Sequence, residues 1–382
     1  MKVSTRNIRE IRRRLDILYR HFHIDPAEED VRIGDEHIYI AFPDDDGDHT
    51  FYCVDDFMRY TEDLDNIEVI GNHSVVCGNT RQTIIKVNGY YYNSLVPYVQ
   101  FETEYFSLRI VDIPFLIGII ASRDGIYNED FGVLPCSNYM AVELVFKDGV
   151  KIEEETCVNT IKQCLYYIAC NYNVPISIGE FMSWEDLYDE ECEISENPLI
   201  IQPAQLSPYC RAMEYFISGL MSDDVELRFL FFYKVIEYFA PSAYKRVAYE
   251  QLNQKLDELQ SVERCANDLE EIIRIVGKYR DSIRDNELTY TVLKYCVSDM
   301  TKLQSFLPAT ISKQLGNQNI KKDIADIIYS TRNNIVHAKS NYSSNGKECT
   351  GSMLDDLNVF MSELCKHLIW WNSRQPRELH LR

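Results

Sequence analysis

Apolar residues recur at helical spacing at both ends of the chain and at strand spacing between them. Ile8, Ile11, Leu15, Leu18 and Phe22 fall at alternating steps of three and four. That stripe predicts an amphipathic helix over residues 2–22. Residues 36–150 are strand-rich in texture. Segments 37–42 and 50–54 flank Asp44-Asp45-Asp46-Gly47-Asp48 and predict a hairpin with an acidic tip. Segments 84–87 and 90–92 flank Asn88-Gly89, whose residues both tolerate the positive φ of a type I′ turn, so a second hairpin is predicted. Ile161, Leu165 and Ile168 restore helical spacing over 158–172. From residue 207 onward, segments 209–220, 225–239, 243–259, 268–279, 290–306, 321–329 and 353–371 all carry helical periodicity without strand-type alternation between them, the pattern of an all-α bundle. Asp223-Asp224 precedes the second of these, where short acids cap helices. The predicted fold is α+β, with a strand-rich α/β domain over residues 1–200 and a helical bundle over 206–382.

Charge sharpens that division. The 382 residues carry a formal charge of −21, which taken whole argues against binding a polyanion. Residues 1–200 hold 16 basic and 37 acidic side chains, whereas the remainder holds 23 of each. The excess therefore belongs to the first domain. An acidic run from Glu185 to Glu196, followed by Pro198 and Pro203, resists compact packing and marks the boundary near 198–206. The first helix is the exception to the acidic half, with Arg6, Arg9, Arg12, Arg13, Arg14 and Arg20. Such a face suits RNA or a membrane surface, but the simpler expectation is docking on its own acidic domain.

The remaining chemistry is sparse. Twelve cysteines occur without a C-x-x-C pair, so neither a zinc site nor a small disulfide scaffold is expected, and reduced thiols in cytoplasm are the simplest account. No apolar run follows the first charges, so no secretory leader is predicted. The longest apolar stretch, 110–122, is interrupted by Asp112, Pro114 and Gly118, too short and broken for a bilayer. The Asp44–Asp48 tip lacks the spacing of a calcium loop and reads as a solvated turn. Tyr90, Tyr91 and Tyr92 would serve base stacking, but strands favour tyrosine in any case. His21-Phe22-His23 is a weak metal candidate, and no metal or cofactor is predicted.

One segment carries a candidate site: Thr331-Arg332-Asn333-Asn334-Ile335-Val336-His337-Ala338-Lys339. It follows a helix whose apolar face is Ile320, Ile324, Ile327 and Ile328. On a continuous helix Arg332 and His337 would stand about 140° apart. Asn333 and Asn334 favour helix ends, so a break there is expected to bring the two side chains together or to expose both to a partner. Spacing alone is weak: with 22 arginines and 8 histidines, about 0.5 such pairs arise by chance. Arg32 and His37 repeat it in a strand-side segment with no helix before it.

The segment Arg332–Lys339, the preceding Asp326-Ile327-Ile328-Tyr329 and the early helix Asp223–Phe239 together resemble the HEPN superfamily, and within it the Apea-like domains, over about residues 207–375. The resemblance implies a helical bundle, a homodimer and a metal-independent endoribonuclease of the antiphage, abortive-infection toxin type. His337 would act as acid or base around the 2′-hydroxyl, since imidazole exchanges protons near neutral pH. Arg332 would hold the scissile phosphate, and Asn333 would orient the phosphate or the histidine. DNA, lacking the 2′-hydroxyl, would be inert. Asn334, Glu237 and Lys339 would line the site; Lys339 occupies a position held by a modifiable tyrosine in some toxins of the superfamily. The acidic half would bind a trigger or partner protein and cover the bundle as a polyanion mimic. The alternative is a non-catalytic scaffold or RNA-binding subunit. Residues 301–350, with seven basic and three acidic side chains, are the most basic stretch of the bundle.

Overall fold

The computed structural model describes residues 5–22, 31–33, 37–40, 50–87, 96–111, 114–124, 139–172, 174–181, 194–259, 267, 270–274, 285–312, 315, 319–337 and 346–375. The class is α+β. The chain divides into two compact units, Met1–Leu206 and Ser207–Arg382.

In the first unit, α1 (Thr5–Phe22) and α2 (Val54–Tyr60) accompany a three-stranded antiparallel sheet of β1 (Val31–Ile33), β2 (His37–Ile40) and β3 (Thr50–Cys53). The first predicted hairpin is β2–β3, with His37 opposite Cys53 and Ile40 opposite Thr50. A larger sheet comprises β4 (Glu68–Ile70), β5 (Ser74–Cys77), β6 (Thr80–Val87), β7 (Val96–Glu102), β8 (Phe106–Val111), β9 (Met140–Phe146), β10 (Ile176–Ile178) and β11 (Ile194–Ile201). Its order is β11-β7-β8-β9-β6-β5-β4, and β10 joins β6. Two further helices belong to the unit, α3 (Phe115–Arg123) and α4 (Glu154–Tyr172). Side chains alternate across a strand, so Gln82, Ile84, Ala141, Glu143, Arg109 and Val111 share one face by register. The core on that face joins Ile84 and Ala141 to Phe57 of α2, to Phe115 and Ile119 of α3, and to Ile11, Leu15 and Leu18 of α1. The basic first helix is thus docked by its apolar stripe, while Arg14 donates to the Met58 carbonyl and, at 3.3 Å, to Thr61 Oγ1. On the opposite face, Arg81 meets Glu154 of α4.

The division falls after Leu206. Before the acidic run ends, the chain has already returned to the sheet as β11, which starts at Ile194 and runs parallel to β7, and Pro198 sits where the register shifts. A proline lacks the ladder donor and is tolerated at such an irregularity on an outermost strand. Asn88-Gly89, Tyr90–Tyr92 and the Asp44–Asp48 tip lie outside the described residues.

The second unit is helical among its described residues: α5 (Ala212–Met221), α6 (Val225–Leu259), α7 (Asp285–Cys296), two single turns, α8 (Thr301–Gln304) and α9 (Ala309–Ser312), then α10 (Ile320–His337) and α11 (Ser352–Ser373). Phe216, Phe229, Phe232, Phe239, Val292, Leu293, Phe360, Leu364 and Leu368 form its buried interior. Asp224 Oδ1 accepts from the backbone of Glu226 and Leu227, both at 2.9 Å, and so caps α6. Segments 225–239 and 243–259 prove to be one helix running through Pro241. The missing N–H removes one ladder bond, and packing of the apolar stripe holds the helix across it. Segment 290–306 is instead interrupted after Cys296, where Lys321 Nζ binds the Val297 carbonyl and, at 3.3 Å, that of Lys294. No helix among the described residues is long and apolar enough to cross a membrane.

Candidate functional site

The motif lies in the last two turns of α10. Ile324, Ile327 and Ile328 face the core, and so does Thr331, whose Oγ1 accepts from the Cys349 amide at 3.0 Å. A threonine hydroxyl committed to a neighbouring loop anchors the helix one residue before Arg332. Arg332 is half-buried. Its guanidinium lies 5.8 Å from the centre of the Tyr233 ring on α6, and its Nη1 donates to Asn333 Oδ1 at 3.1 Å. Phe229, one turn earlier on α6, stacks on Tyr233 at 6.4 Å and fixes that ring. Among the described residues Arg332 has no carboxylate partner, so one neutral amide and one aromatic face are all that balance its charge. A guanidinium has five N–H donors, and a half-buried one with most of them unspent is a natural seat for an anion.

His337 is the last residue of α10 and is exposed. The helix does not break at Asn333 and Asn334; both are half-buried within it. Arg332 and His337 therefore remain about 140° apart around the axis and about 7.5 Å along it. The expected convergence within one chain does not occur. Glu237 follows Tyr233 by one turn of α6 and is exposed, not set among the apolar residues of that helix. Lys339 lies outside the described residues. The structure thus joins Arg332, Asn333 and Tyr233, and leaves His337 on another side of the same helix. Tyr233 has one signal in the sequence, its i, i+4 spacing from Phe229. The basic stretch around the motif is partly committed to the fold, since Lys347 pairs with Asp326 at 2.8 Å and Lys321 caps α7.

The first unit holds the other concentration of charge. Glu143 on β9 is fully buried and accepts from Arg109 Nε at 2.8 Å, Arg59 Nη2 at 3.0 Å and Gln82 Nε2 at 2.7 Å. Asp56 completes the cluster, 2.9 Å from Arg109 and 2.8 Å from Arg59. Burial works against its charge, but Arg109 and then Arg59 outweigh it and hold the carboxyl below its ordinary range. Burial and the Glu143 charge together push the Tyr60 phenol upward. Two arginines against two acids make the cluster neutral. Arg109 also reaches an open trough of about 470 Å³ over β7, β8 and β11, lined by Gln100, Glu102, Ser107 and Gln202 among others. Among the described residues no three histidine, cysteine, aspartate or glutamate side chains gather as metal ligands would.

Residues 212–369 match the family model of the methylamine utilization protein MauJ. The match runs from the start of α5 into α11, within the helical unit. No curated protein and no solved structure matches the chain. This corrects the resemblance to the HEPN superfamily: the family detected over these residues is MauJ, and no HEPN family is detected. The resemblance leaned on a short Arg-Asn-x-x-x-His core that chance can produce, joined to an apolar helix common to many bundles.

Proposed function

We propose that the helical unit binds RNA through Arg332 and cleaves it without a metal. In this reading the 2′-oxygen attacks the adjacent phosphorus, the P–O5′ bond breaks, and the products are a 2′,3′-cyclic phosphate and a 5′-hydroxyl. His337 takes the proton from the 2′-hydroxyl or returns one to the leaving oxygen. Arg332, oriented by Asn333, binds the non-bridging oxygens. Because one chain holds the two side chains apart, the working site is completed by a second copy, and the protein acts as a homodimer. The observation that carries the reading is the Arg332 guanidinium, half-buried on Tyr233 with no carboxylate among the described residues. A cytoplasmic location accords with the described cysteines, none of which forms a disulfide among the described residues. The matched family is named for methylamine utilization, but a methylammonium ion is a cation and Arg332 would repel it.

The straight course of α10 favours a second reading, in which the unit binds RNA without cutting it. The full chain, incubated with single-stranded RNA and with DNA of the same sequence, separates the two. Cleavage of RNA alone, with cyclic-phosphate ends, is expected. His337→Ala is expected to slow it by about 10²–10⁴-fold and Arg332→Ala by about 10²–10³-fold. Equal cleavage by both variants would sink the catalytic reading. Binding without cleavage, weakened by Arg332→Ala, would establish the second.

A further inference from the structure

The α5–α6 face carries a cation–aromatic cluster apart from Arg332. Tyr215 on α5 and Phe231 on α6 are both partly exposed. Arg211, at the start of α5, lies 5.6 Å from the centre of the Tyr215 ring. Lys234 lies 5.7 Å from Tyr215 and 5.2 Å from Phe231. Both cations are exposed, and among the described residues neither forms an ion pair. The adjacent acid, Glu214, accepts instead from the Tyr209 hydroxyl. Two cations without an ion pair among the described residues therefore lie over two partly exposed aromatic rings.

We infer that Arg211, Tyr215, Phe231 and Lys234 form a binding surface for single-stranded RNA. Each part of the ligand has a counterpart. A base has a π-face for Tyr215 and Phe231, and stacking of this kind tolerates any sequence. Successive phosphates need cations at the rim of the rings. Lys234 and Arg211 have stems long enough to swing outward when a base takes their place above the rings. Duplex RNA buries its base faces in the stack and offers only the phosphates. The inference extends the RNA reading above by naming the strand-binding surface, and it does not depend on whether Arg332 and His337 cut.

Fluorescence anisotropy of the full chain with a labelled 2′-O-methyl U12 strand, which lacks the attacking hydroxyl, tests the surface. Arg211→Glu with Lys234→Glu is expected to weaken binding at least tenfold. It should also flatten the log–log salt dependence by about 1.4, from about 0.7 per phosphate contact. Tyr215→Leu is expected to cost about tenfold, the loss of one stacked base. Glutamate at position 211 suits the start of α5, where the helix dipole favours an acid, so loss of binding there does not reflect loss of the helix; circular dichroism checks it. Unchanged affinity in these variants, or no binding by the wild type, overturns the inference. So does competition by a poly-glutamate peptide with Tyr215→Leu silent, which would mark the patch as a seat for an acidic protein. Patch-dependent binding by a wild type that never cleaves RNA would defeat the catalytic reading and support this surface.

Discussion

Changing Glu143 to glutamine preserves the shape of the side chain and removes its charge, and the geometry around it gives the cost. Arg109 and Arg59 converge on Oε1 of this buried carboxylate and Gln82 on Oε2. A glutamine must turn its NH₂ toward either the arginines or Gln82, and both are donors. Gln82 cannot flip to relieve the conflict, because its own Oε1 accepts from the Leu116 backbone at 2.8 Å and from Ile117 at 3.4 Å. Breaking a buried ion pair from one side costs about 3–5 kcal/mol. Asp56 still serves both arginines, which places Glu143→Gln toward the bottom of that range, at about 3 kcal/mol. Glu143→Ala, which adds a cavity, should cost about 1 kcal/mol more. Hydrogen exchange read at the β8 and β9 amides of the full chain isolates the effect. Each 1.4 kcal/mol is tenfold, so protection should fall by about 10²-fold if these strands exchange by global opening of their unit. Replacing Glu143 and Arg109 together by methionine should cost less than Glu143→Ala, because no charge is then left unanswered on that pair. A loss of protection below about fivefold in Glu143→Gln, or a double variant worse than the single one, would refute the reasoning.

Two further outcomes follow from packing and protonation. Gly219→Ala on α5 should gain about 1 kcal/mol of helix propensity, yet a Cβ there would stand 2.5 Å and 2.8 Å from ring carbons of the buried Phe232. Overpacking costs about 1–3 kcal/mol, so urea unfolding should show a net loss of about 1 kcal/mol, partly recovered with Phe232→Leu, and a stabilised variant would contradict the contact. His367 on α11 has a buried Nε2 without a hydrogen-bond partner among the described residues. Burial lowers its pKa, opposed by the Cys296 carbonyl and Asp299 and assisted by Lys321. A depressed folded pKa means the unfolded chain binds the proton more readily. Its contribution to stability is therefore complete above the unfolded value of about 6.5 and is lost as pH falls toward the folded one. The Tm should decline between pH 7 and 5, His367→Gln should lessen the decline, and an identical slope in that variant would exclude the residue.

What the sequence made legible was apolar periodicity, and what it concealed was polar burial. Ile11, Leu15 and Leu18 lie in the core as their stripe predicted, because a period of three and four admits one helix face. Thr80-Arg81-Gln82-Thr83 carries no apolar residue, yet all four are buried in β6. Arg81, Gln82 and Thr83 find partners in Glu143, Ser74 and Glu154, which stand on other strands or a distant helix, and no local pattern encodes that satisfaction. The helix break expected at Asn333 and Asn334 does not occur, for a related reason. Asn333 and Asn334 have poor helix propensity, worth only tenths of a kcal/mol each. Against that stand the buried hydroxyl of Thr331 and the packing of Arg332 on Tyr233, which hold the last turns of α10 in line. An Arg-x-x-x-x-His spacing specifies a distance along the chain; whether two side chains meet depends on the axis between them. A straight α10 makes that meeting a matter for two chains, which is why the order of the Arg332 and His337 sites is open to test by mixing Arg332→Ala with His337→Ala protein. If a cleaving site draws its arginine from one copy and its histidine from the other, each variant alone is inactive. The mixture then regains up to about a quarter of wild-type activity per site, since half of random dimers pair the two variants and one of their two sites is intact. No recovery in a mixture shown to exchange subunits would mean that both side chains act from the same copy, against the geometry of α10.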